Sequence, residues 1–382
     1  MRILISGGGT GGHIYPALAV ARELRARYDA ELLFVGDVNG LETEIVPRAG
    51  IPFTGITAGK LRRYLSPQTF TDLARIPAGM AQALRVVRQF RPDAAFTSGG
   101  YVSVPAGMAA RLLRVPLVMH QQDVSPNLAN RLLTPVATRI SVSFSDSLRF
   151  FPRQRTSLAG NPVREEILAL AGTDAMAHRR ALGFDPAVPL LLVTGGSQGA
   201  RHLNEVVVEA LPWLLPQCQI LHVSGRLTHA ATQRAAEQQL AALPALAARY
   251  QLHPYLEEQM AMALAASDVV LCRSGAATLA ELAILGRASM LVPLPPGFTG
   301  SPQAVNARMF CDAGAAIMVL DRDLTARRLC DAILPLLKDS VTRATMAELA
   351  RTLGRPDAAV KLAETVATLA QRRLQVRHRG AP

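Results

Sequence analysis

Short apolar runs alternate with stretches of helical periodicity along the whole chain. In the first part, the runs RILIS at 2–6, ELLFVG at 31–36 and PLVMH at 116–120 are separated by helical patterns such as 16–27 and 104–113. Short strands separated by helices favour right-handed βαβ units and a parallel sheet. This alternation therefore predicts an α/β fold.

The pattern restarts beyond Pro162 with PLLLVTGG at 189–196 and four further apolar runs. A chain of 382 residues is long enough for two domains, at roughly 100 to 200 residues each. We therefore predict two Rossmann-like, doubly wound parallel-sheet domains in tandem. They span 1–162 and 163–356, and a C-terminal helix within 357–382 packs back on the first domain and carries a basic tail.

Composition and cysteine spacing exclude several classes of protein. With 49% apolar and 18% charged residues, the chain is too apolar and too weakly charged to be disordered. The four cysteines lie far apart with no C-x-x-C pair, which disfavours a disulfide scaffold or zinc finger and predicts buried, reduced thiols in a cytosolic protein. The first apolar run ends in glycines and the longest uncharged stretches contain Gly and Pro, so we expect neither a signal peptide nor a transmembrane helix.

Glycine clusters follow a predicted strand at three places: SGGGTGGHIYP from Ser6, TSGGYVSVPAG from Thr97 and VTGGSQGARHLN from Val193. A glycine loop between a strand and a helix presents free backbone N–H groups and the positive end of the helix dipole, which together hold a phosphate. We therefore expect phosphate-binding loops at the carboxyl ends of the strands, on both walls of a cleft between the domains.

The first loop also matches the dinucleotide pattern G-x-G-x-x-G at Gly7, Gly9 and Gly12, and Asp37 could bind a ribose after the second strand. His13 at the helix start argues against a dinucleotide enzyme, because hydride transfer has no evident use for an imidazole there. Spacing alone leaves His13 equally open to a functional role and to a structural bond with the backbone.

Seven motifs, in order along nearly the whole chain, carry a specific resemblance. They are GGGTGGHIYPALAVARELR, TSGGYVSVPAG, HQQD at 120–123, NRLL at 130–133, GNPVR at 160–164, GGSQGARHLN at 195–204 and RSGAATLAEL at 273–282. In these motifs the chain resembles the bacterial peptidoglycan N-acetylglucosaminyltransferases. The resemblance implies a GT-B fold and an inverting transfer of GlcNAc from UDP-GlcNAc to the C4 hydroxyl of undecaprenyl-pyrophosphoryl-MurNAc-pentapeptide, which converts lipid I to lipid II in peptidoglycan synthesis.

The same resemblance assigns roles to residues. The N-terminal domain would bind the acceptor and face the membrane, and the C-terminal domain would bind UDP-GlcNAc. The acceptor site would contain the general base His13 together with Thr10, Gly11, Gly12 and Asp123. The UDP-GlcNAc site would share Thr10, Gly11, Gly12 and Asp123 and add Arg164 near the uracil, Ser197 and Gln198 at the diphosphate, Glu281 at the ribose and Gln303 at the sugar.

These residue types fit an inverting transfer. A positioned base accelerates attack by the acceptor hydroxyl by roughly 10²- to 10⁴-fold, and preoriented backbone N–H groups meet the charge that develops on departing UDP. We find no His/Asp cluster to hold a metal, so we predict no cofactor and no metal site, with a divalent cation only as a candidate stimulator. Arg201, one helical turn from Gln198, could add a cation or could be a solvated helix residue.

Two motifs depart from the usual family pattern. The family usually has H-E-Q-N where this chain has His120 to Asp123, and an ionised Asp123 can only accept hydrogen bonds where the amide could also donate. The 293–307 loop, PLPPGFTGSPQAVNA, is longer than usual and has Pro302 before Gln303 in place of the usual polar residue. We expect lineage variation at both places in preference to a changed specificity.

The net charge of +12 is concentrated in two segments. Seven basic residues and one acidic residue between Lys60 and Arg91 give +6, and four arginines between Arg372 and Arg379, which meet no acid there, give +4. An apolar stripe from 70 to 87 has helical spacing, which favours a helix packed against the sheet over a helix on an anionic membrane surface. The lipid-linked acceptor that the resemblance implies makes the two interpretations about equal.

The charge lies away from the glycine loops and few aromatic residues accompany it, so nucleic-acid binding is disfavoured. Expected partners are UDP-GlcNAc, the lipid-linked muramyl-pentapeptide, an anionic membrane surface at the cytoplasmic face of the cell membrane, and other cell-wall synthesis proteins. An alternative is a GT-B glycosyltransferase that acts on another lipid or natural-product acceptor. A UDP-GlcNAc 2-epimerase shares this fold but needs carboxylate acid/base residues and would turn over without an acceptor.

Overall fold

The computed structural model describes residues 1–59, 67–196, 198–257, 259–295 and 302–379, with side chains described in these ranges except at 67–74 and 378–379. The chain divides into two compact units. Unit 1 comprises Met1–Arg164 and Arg355–Pro382, and unit 2 comprises Glu165–Gly354. These boundaries lie two residues from those expected from the sequence.

Unit 1 begins with alternating strands and helices. They are β1 (Arg2–Ser6), α1 (Gly11–Tyr28), β2 (Glu31–Asp37), α2 (Glu42–Arg48), β3 (Phe53–Ile56), α3 (Pro67–Phe90), β4 (Ala94–Thr97), α4 (Ser103–Leu112), β5 (Leu117–Gln121), α5 (Leu128–Leu133), β6 (Arg139–Val142) and β7 (Thr156–Leu158). Two short 3-10 helices, Ser145–Phe150 and Arg153–Arg155, precede β7.

Unit 2 repeats the alternation after two short helices. Its elements are α6 (Glu165–Ala169), α7 (Ala175–Ala181), β8 (Leu190–Thr194), α8 (Arg201–Leu214), β9 (Gln219–Val223), α9 (His229–Ala241), β10 (Tyr250–His253), α10 (Gln259–Ala266), β11 (Val269–Cys272), α11 (Ala276–Leu285), β12 (Ala288–Leu291), α12 (Gln303–Asp312), β13 (Ala316–Met318), α13 (Ala326–Lys338) and α14 (Ser340–Leu353). The last helix, α15 (Ala358–Arg379), belongs to unit 1.

Each unit is built on a parallel sheet, which confirms the predicted doubly wound α/β class. The described strands of unit 1 have the order β3-β2-β1-β4-β5-β6-β7, and those of unit 2 have the order β10-β9-β8-β11-β12-β13. The strand order reverses between β1 and β4 and between β8 and β11. Loops on either side of such a switch point open a crevice at the carboxyl ends of the strands, where open α/β sheets bind ligands.

Helix α1 begins earlier than the sequence predicts. The helical pattern in the sequence starts at about Pro16. Gly11 is instead the first helical residue, Thr10 is the N-cap, and Pro16 lies inside the helix. The helix therefore starts directly from the glycine loop, with no linker between the loop and the helix.

Helix α15 completes the core of unit 1. Its residues Leu362 and Val366 are fully buried in one cluster with Ile3 of β1 and Leu24 of α1. The helix packs against α1 and β4. Because this cluster joins residues that lie far apart in the chain, residues 1–164 do not complete the core of unit 1 by themselves.

The arginines of α15 are partly used inside unit 1. Arg377 forms an ion pair of 3.0 Å with the buried Asp93, which also accepts the N–H of Arg2 at 2.8 Å. Arg373 donates to the carbonyls of Leu113 and Arg114. The segment 372–379 itself contains no acid, and the partner of Arg377 lies 284 residues earlier in the chain.

The apolar stripe of α3 lies partly in the core. Val87 is buried, and Met80 and Leu84 pack against the same cluster as Leu117 of β5. The interpretation as a core helix therefore holds for this half of α3. Lys60, Arg62 and Arg63 of the basic segment, and the side chains of Phe70 and Leu73, lie outside the described residues.

Three cysteines match the prediction of buried thiols and one does not. Cys218, Cys272 and Cys330 are buried and free, whereas Cys311 in the last turn of α12 is only half-buried. Burial raises the pKa of Cys218 and of Cys272 to about 12. Within the described ranges, no helix combines the length and the apolar character that a membrane span requires.

Candidate functional site

The loops that follow β1 and β4 touch each other at the switch point of unit 1. The two strands end in register, with Ser6 opposite Thr97. The N–H of Gly8 points to the carbonyl of Gly99 at 3.4 Å. A Cβ on Gly100 would lie only 2.3 Å from the carbonyl oxygen of Gly8, so the close approach requires glycine there.

Both side-chain packing and backbone conformation require glycine in the β1 loop. Gly9 has a φ of +85°, which favours glycine. A Cβ on Gly7 would lie 1.9 Å from Ser98 Oγ. That hydroxyl donates to the carbonyl of His13 at 2.6 Å, so it anchors the first turn of α1 to the β4 loop.

The start of α1 is a helix N-terminus without a side-chain cap. Thr10 is exposed and its side chain makes no capping hydrogen bond. The N–H groups of Gly11 and Gly12 have no partner within the described part of the chain. Unsatisfied N–H groups at the positive end of a helix dipole bind anions. Three predicted ligand-binding residues thus lie together at one uncapped helix end.

His13 in the first turn of α1 is hydrogen-bonded through Nδ1. Its Nδ1 lies 3.1 Å from the carbonyl of Ser98, and Gln122 Nε2, 3.2 Å from the same Nδ1, donates to that carbonyl at 2.8 Å. The carbonyl of Ser98 only accepts, so this contact favours the tautomer with the proton on Nδ1, in which Nε2 keeps its lone pair. This tautomer makes Nε2 the basic atom.

The protonation of His13 depends on burial and on neighbouring charge. Burial lowers the pKa of His13 below its ordinary value, and Asp123, the Ser98 carbonyl and Glu42 each offset part of this effect. The imidazole is therefore neutral near pH 7, which is the state that a general base requires.

The HQQD segment after β5 combines structural residues with residues that face the loops. His120 is fully buried and contacts Ser141 Oγ at 3.3 Å and Asn161 Oδ1 at 3.2 Å, and burial lowers its pKa to about 4. It is therefore a neutral core residue. The amide of Gln121 donates to the carbonyl of Asp123 at 2.8 Å and so shapes the turn that carries this half-buried carboxylate.

Two other sequence candidates of unit 1 have partners within the unit. Asp37, the ribose ligand of the dinucleotide alternative, accepts from Tyr101 Oη at 2.5 Å and from the N–H of Asn39 at 3.1 Å. The carboxylate is thus already engaged, which removes the support for a dinucleotide site. The guanidinium of Arg164 lies 5.8 Å from the ring centre of Tyr15 on α1.

In unit 2, the loop after β8 presents a second helix end at the switch point. Gly196 and Gly199 have φ values of +86° and +85°, and the N–H of Gly199 donates to the carbonyl of Gly196 at 3.0 Å. Helix α8 follows without a side-chain cap. Gln198 is exposed in this loop, and Ser197 lies outside the described residues.

A buried network supports the β8 loop from the side of β9. Asn204 in the first turn of α8 donates to the carbonyl of Ser224 at 2.8 Å, and its Oδ1 lies 3.0 Å from His222 Nε2. His222 Nδ1 lies 2.8 Å from Tyr250 Oη, and burial lowers the pKa of His222 to about 3. A neutral histidine thus relays hydrogen bonds from β10 to the start of α8.

The loop after β11 contacts the start of α12. Ser274 Oγ donates to the carbonyl of Gln303 at 3.0 Å, and Asn306 Nδ2 donates to the carbonyl of Ser274 at 3.0 Å. Gln303 Oε1 accepts the N–H of Leu294 at 3.1 Å. Gln303 thus lies beside the switch point of unit 2, although residues 296–301 of the altered loop lie outside the described ranges.

Charged residues surround the same loop. Glu281 is half-buried on α11, the helix that begins directly after this loop. Arg273 forms an ion pair of 2.5 Å with Asp321, whose other oxygen lies 3.3 Å from His202 Nδ1. Arg201 is exposed at the start of α8, which leaves both of its interpretations open.

The structure thus gathers the predicted acceptor residues of unit 1 around one helix end and places Gln198, Glu281 and Gln303 on elements that border the switch point of unit 2. Sequence analysis missed Ser98, Gln122 and Asn204, although all three lie inside the quoted motifs. Among the described residues, no group of three or more His, Cys, Asp or Glu side chains could hold a metal ion.

Two family models match the chain in order. Residues 3–142 match the glycosyltransferase family 28 N-terminal domain, and residues 190–362 match the glycosyltransferase family 28 C-terminal domain. With two doubly wound domains and a glycine loop that leads into an uncapped helix in each, the protein is a glycosyltransferase of the GT-B class.

Proteins of similar sequence identify the family within this class of glycosyltransferases. The UDP-N-acetylglucosamine--N-acetylmuramyl-(pentapeptide) pyrophosphoryl-undecaprenol N-acetylglucosamine transferase of Desulforudis audaxviator is 41% identical over 379 residues, 97% of this chain and 99% of the relative. The chain belongs to the family of these transferases. The crystal structure of Acinetobacter baumannii MurG has a TM-score of 0.75 at 28% identity, over 96% of this chain and 99% of that one. The glycotransferase of kitacinnamycin shares the fold at 18% identity, with a TM-score of 0.67 over 96% and 99% of the two chains.

Asp123→Asn introduces the residue that is usual in the family and removes a negative charge that raises the pKa of His13. We expect the pKa of His13 to fall further, because burial is then less opposed. An NMR titration of the His13 imidazole in both proteins measures the change.

Asp146→Asn is the matched control, because Asp146 is exposed on a 3-10 helix of the same unit. The control should titrate like the unchanged protein. A His13 pKa that is equal or higher in Asp123→Asn would contradict the electrostatic role of Asp123.

Proposed function

We propose that this protein transfers GlcNAc from UDP-GlcNAc to the C4 hydroxyl of undecaprenyl-pyrophosphoryl-MurNAc-pentapeptide, with inversion at the anomeric carbon. The observation that carries the proposal is the imidazole of His13, whose basic Nε2 lies at an uncapped helix N-terminus. Relatives that are named for this transfer and align along nearly the whole chain support the choice of donor and acceptor.

The acceptor half of the proposal rests on unit 1. The N–H groups of Gly11 and Gly12 bind the pyrophosphate of the lipid-linked acceptor, as helix N-termini bind phosphates elsewhere. Because His13 is in the same turn, an acceptor bound there brings its sugar close to Nε2. Asp123 accepts a hydrogen bond from a sugar hydroxyl, which an ionised carboxylate can do as well as an amide oxygen.

The donor half rests on unit 2. Backbone N–H groups of the β8 loop and the start of α8 bind the diphosphate of UDP. Glu281 accepts hydrogen bonds from the ribose hydroxyls, and the amide nitrogen of Gln303 donates to the sugar. Because these N–H groups are preoriented, they stabilise the charge on departing UDP without a protein cation. The proposal assigns no cofactor.

The chemical step needs one proton transfer and one substitution. The acceptor oxygen attacks the anomeric carbon as the bond from that carbon to the UDP oxygen breaks. His13 Nε2 takes the proton of the attacking hydroxyl, and UDP departs with the bonding electron pair. A neutral base is required, and burial favours the neutral imidazole because it lowers the pKa of His13.

We expect purified protein to form the disaccharide from UDP-GlcNAc and a lipid-linked muramyl-pentapeptide analogue. His13→Ala should lower kcat by roughly 10²- to 10⁴-fold, because the base is lost, while UDP affinity stays unchanged. His178→Ala is the control, since His178 hydrogen-bonds Thr173 at the surface of unit 2. Release of UDP without disaccharide would reject the function, and an equal loss of turnover and UDP affinity in His13→Ala would reject the role as base.

Glu281→Ala should weaken UDP binding, because two ribose hydroxyls lose their acceptor. Hydrogen bonds to a charged group contribute about 1.5 to 3 kcal/mol, so we expect a loss of affinity of roughly tenfold to a hundredfold. Isothermal titration with UDP measures it, and Glu209→Ala on the exposed side of α8 is the control. Unchanged UDP affinity in Glu281→Ala would contradict the assignment to the ribose.

We also propose that unit 1 binds an anionic membrane surface at the cytoplasmic face. Helix α3 packs against α4, and α4 packs against α5. Each of these helices exposes at least one large apolar residue next to an exposed arginine: Ile76 with Arg75, Leu112 with Arg111, and Leu128 and Leu132 with Arg131. Exposed apolar side chains flanked by arginines are typical of surfaces that lie on anionic lipid.

The double variant Arg85→Glu, Arg88→Glu tests this membrane surface, because both arginines are exposed on α3. Each basic residue near an anionic surface contributes about 1 kcal/mol, so binding to phosphatidylglycerol vesicles should weaken at least roughly tenfold. Vesicle co-sedimentation measures the affinity. The control is Arg322→Glu, Arg327→Glu, whose side chains are 81% and 93% exposed in unit 2. Equal binding by both double variants would reject the surface.

A further inference from the structure

Glu42 is a buried carboxylate that the reaction described above does not use. It is the first residue of α2 and is fully buried. Its Oε1 accepts the N–H of Asp37 at 2.9 Å, and its Oε2 accepts the N–H of Gly9 at 3.2 Å. One carboxylate therefore joins the end of β2 to the loop that follows β1.

Three glycines make room for this carboxylate. A Cβ would lie 2.1 Å from Glu42 Oε1 at Gly8, 2.4 Å from its Cγ at Gly36 and 2.3 Å from its Cδ at Gly40. None of the three has a positive φ, so a left-handed backbone does not explain their lack of a side chain. Loops on two neighbouring strands are thus shaped around one side chain.

A negative charge beneath a loop that binds an anion is unfavourable unless the carboxylate serves another purpose. Glu42 turns the N–H of Gly9 inward, away from any ligand. The N–H groups of Gly11 and Gly12 remain for the ligand at the start of α1. The carboxylate therefore decides which backbone N–H groups the loop offers.

The charge of Glu42 also acts on the imidazole of His13. Asp123 from the β5 loop and Glu42 from α2 both raise the pKa of His13, and burial lowers it. His120 on β5 is neutral and buried, so it adds no positive charge at neutral pH. Removal of the charge of Glu42 would thus lower the pKa of His13.

We propose that Glu42 is a positioning residue for the transfer: its ionised carboxylate fixes the β1 loop from beneath and supplies part of the field that acts on His13. This inference rests on the proposed role of His13 as the base. Glu42 touches neither substrate, so it acts through the loop and the imidazole alone.

Glu42→Gln removes the charge and places an amide N–H2 group against one of the two backbone N–H donors. We expect kcat to fall by about tenfold to a hundredfold, because a small misplacement of a catalytic group has such an effect. UDP affinity should not change. A base is active above its pKa, so the acidic limb of the kcat/KM profile should move to lower pH.

Glu44→Gln is the matched control, since Glu44 is exposed on the same helix and loses the same charge. Its kcat and pH profile should equal those of the unchanged protein. Identical kinetics in Glu42→Gln and Glu44→Gln would overturn the proposal.

Glu42→Asp separates position from charge, because it keeps a carboxylate that is one methylene shorter. We expect a reduced kcat with the acidic limb near its original pH. If neither Glu42 variant folds, as judged by circular dichroism and thermal unfolding, the residue is required for folding and the proposed positioning role is rejected.

NMR titration of the His13 imidazole distinguishes failure of this inference from failure of the proposed function. If the unchanged protein forms no disaccharide, the proposed function is rejected, and the titration still tests Glu42. A His13 pKa that is the same in folded Glu42→Gln and in the unchanged protein would reject the role of Glu42. A lower His13 pKa in that variant, with normal titration in Glu44→Gln, supports it.

Discussion

Parallel pairing of the strands determines where the chemistry of this protein is located. Parallel neighbours cannot be joined by hairpins, so each connection returns through a helix, and each loop at the carboxyl edge leads into a helix N-terminus. The helices α1 and α8, which follow the first strand of each sheet, have no side-chain cap and no acidic residue in the first turn. Within the described residues, the first turn of each helix therefore lacks a capping side chain at a position where a phosphate could accept from its N–H groups. Helix ends of this kind can bind anions through the topology of the sheet alone, without a requirement for cationic side chains.

Arginine side chains donate hydrogen bonds at the C-terminal ends of other helices. In unit 2, Arg179 donates to the carbonyl of Ala266 at the end of α10 at 2.8 Å, and Arg287 donates to the next carbonyl, that of Ser267, at 3.0 Å. Arg343 donates to the carbonyl of Leu337 near the end of α13 at 2.6 Å. The last carbonyls of a helix lack partners and form the negative end of its dipole, so guanidinium groups stabilise them. Part of the net charge of +12 is therefore engaged inside the units, and residue counts overstate the cationic surface.

The sequence predicted the buried strands and missed most of the edge strands. Interior strands such as β1, β5 and β8 are buried on both faces, so they appear as unbroken apolar runs. Of the four strands that the sequence did not single out, β3, β7 and β10 lie at the edges of the sheets. Edge strands are short and half-exposed, as in β3 and β7, so polar residues interrupt the apolar signal. The start of α1 lies before the helical pattern at 16–27, because this helix begins in a glycine loop.

The candidate site was predictable where its parts are local in sequence, and unpredictable where they depend on distant contacts. A strand, a glycine loop and a histidine at a helix start lie within one short segment, so a sequence motif is enough to predict them. The tautomer of His13 depends on a backbone carbonyl 85 residues later and on the amide of Gln122, 109 residues later. The role of each glycine in the loop also depends on residues that are distant in sequence. Gly7 leaves room for Ser98 and Gly8 leaves room for Glu42, whereas a phosphate-binding motif attributes all of them to the ligand. A glycine pattern therefore predicts where an anion site lies but not which glycines face the anion. Side chains from other strands determine which glycines are needed for packing and which remain for the ligand.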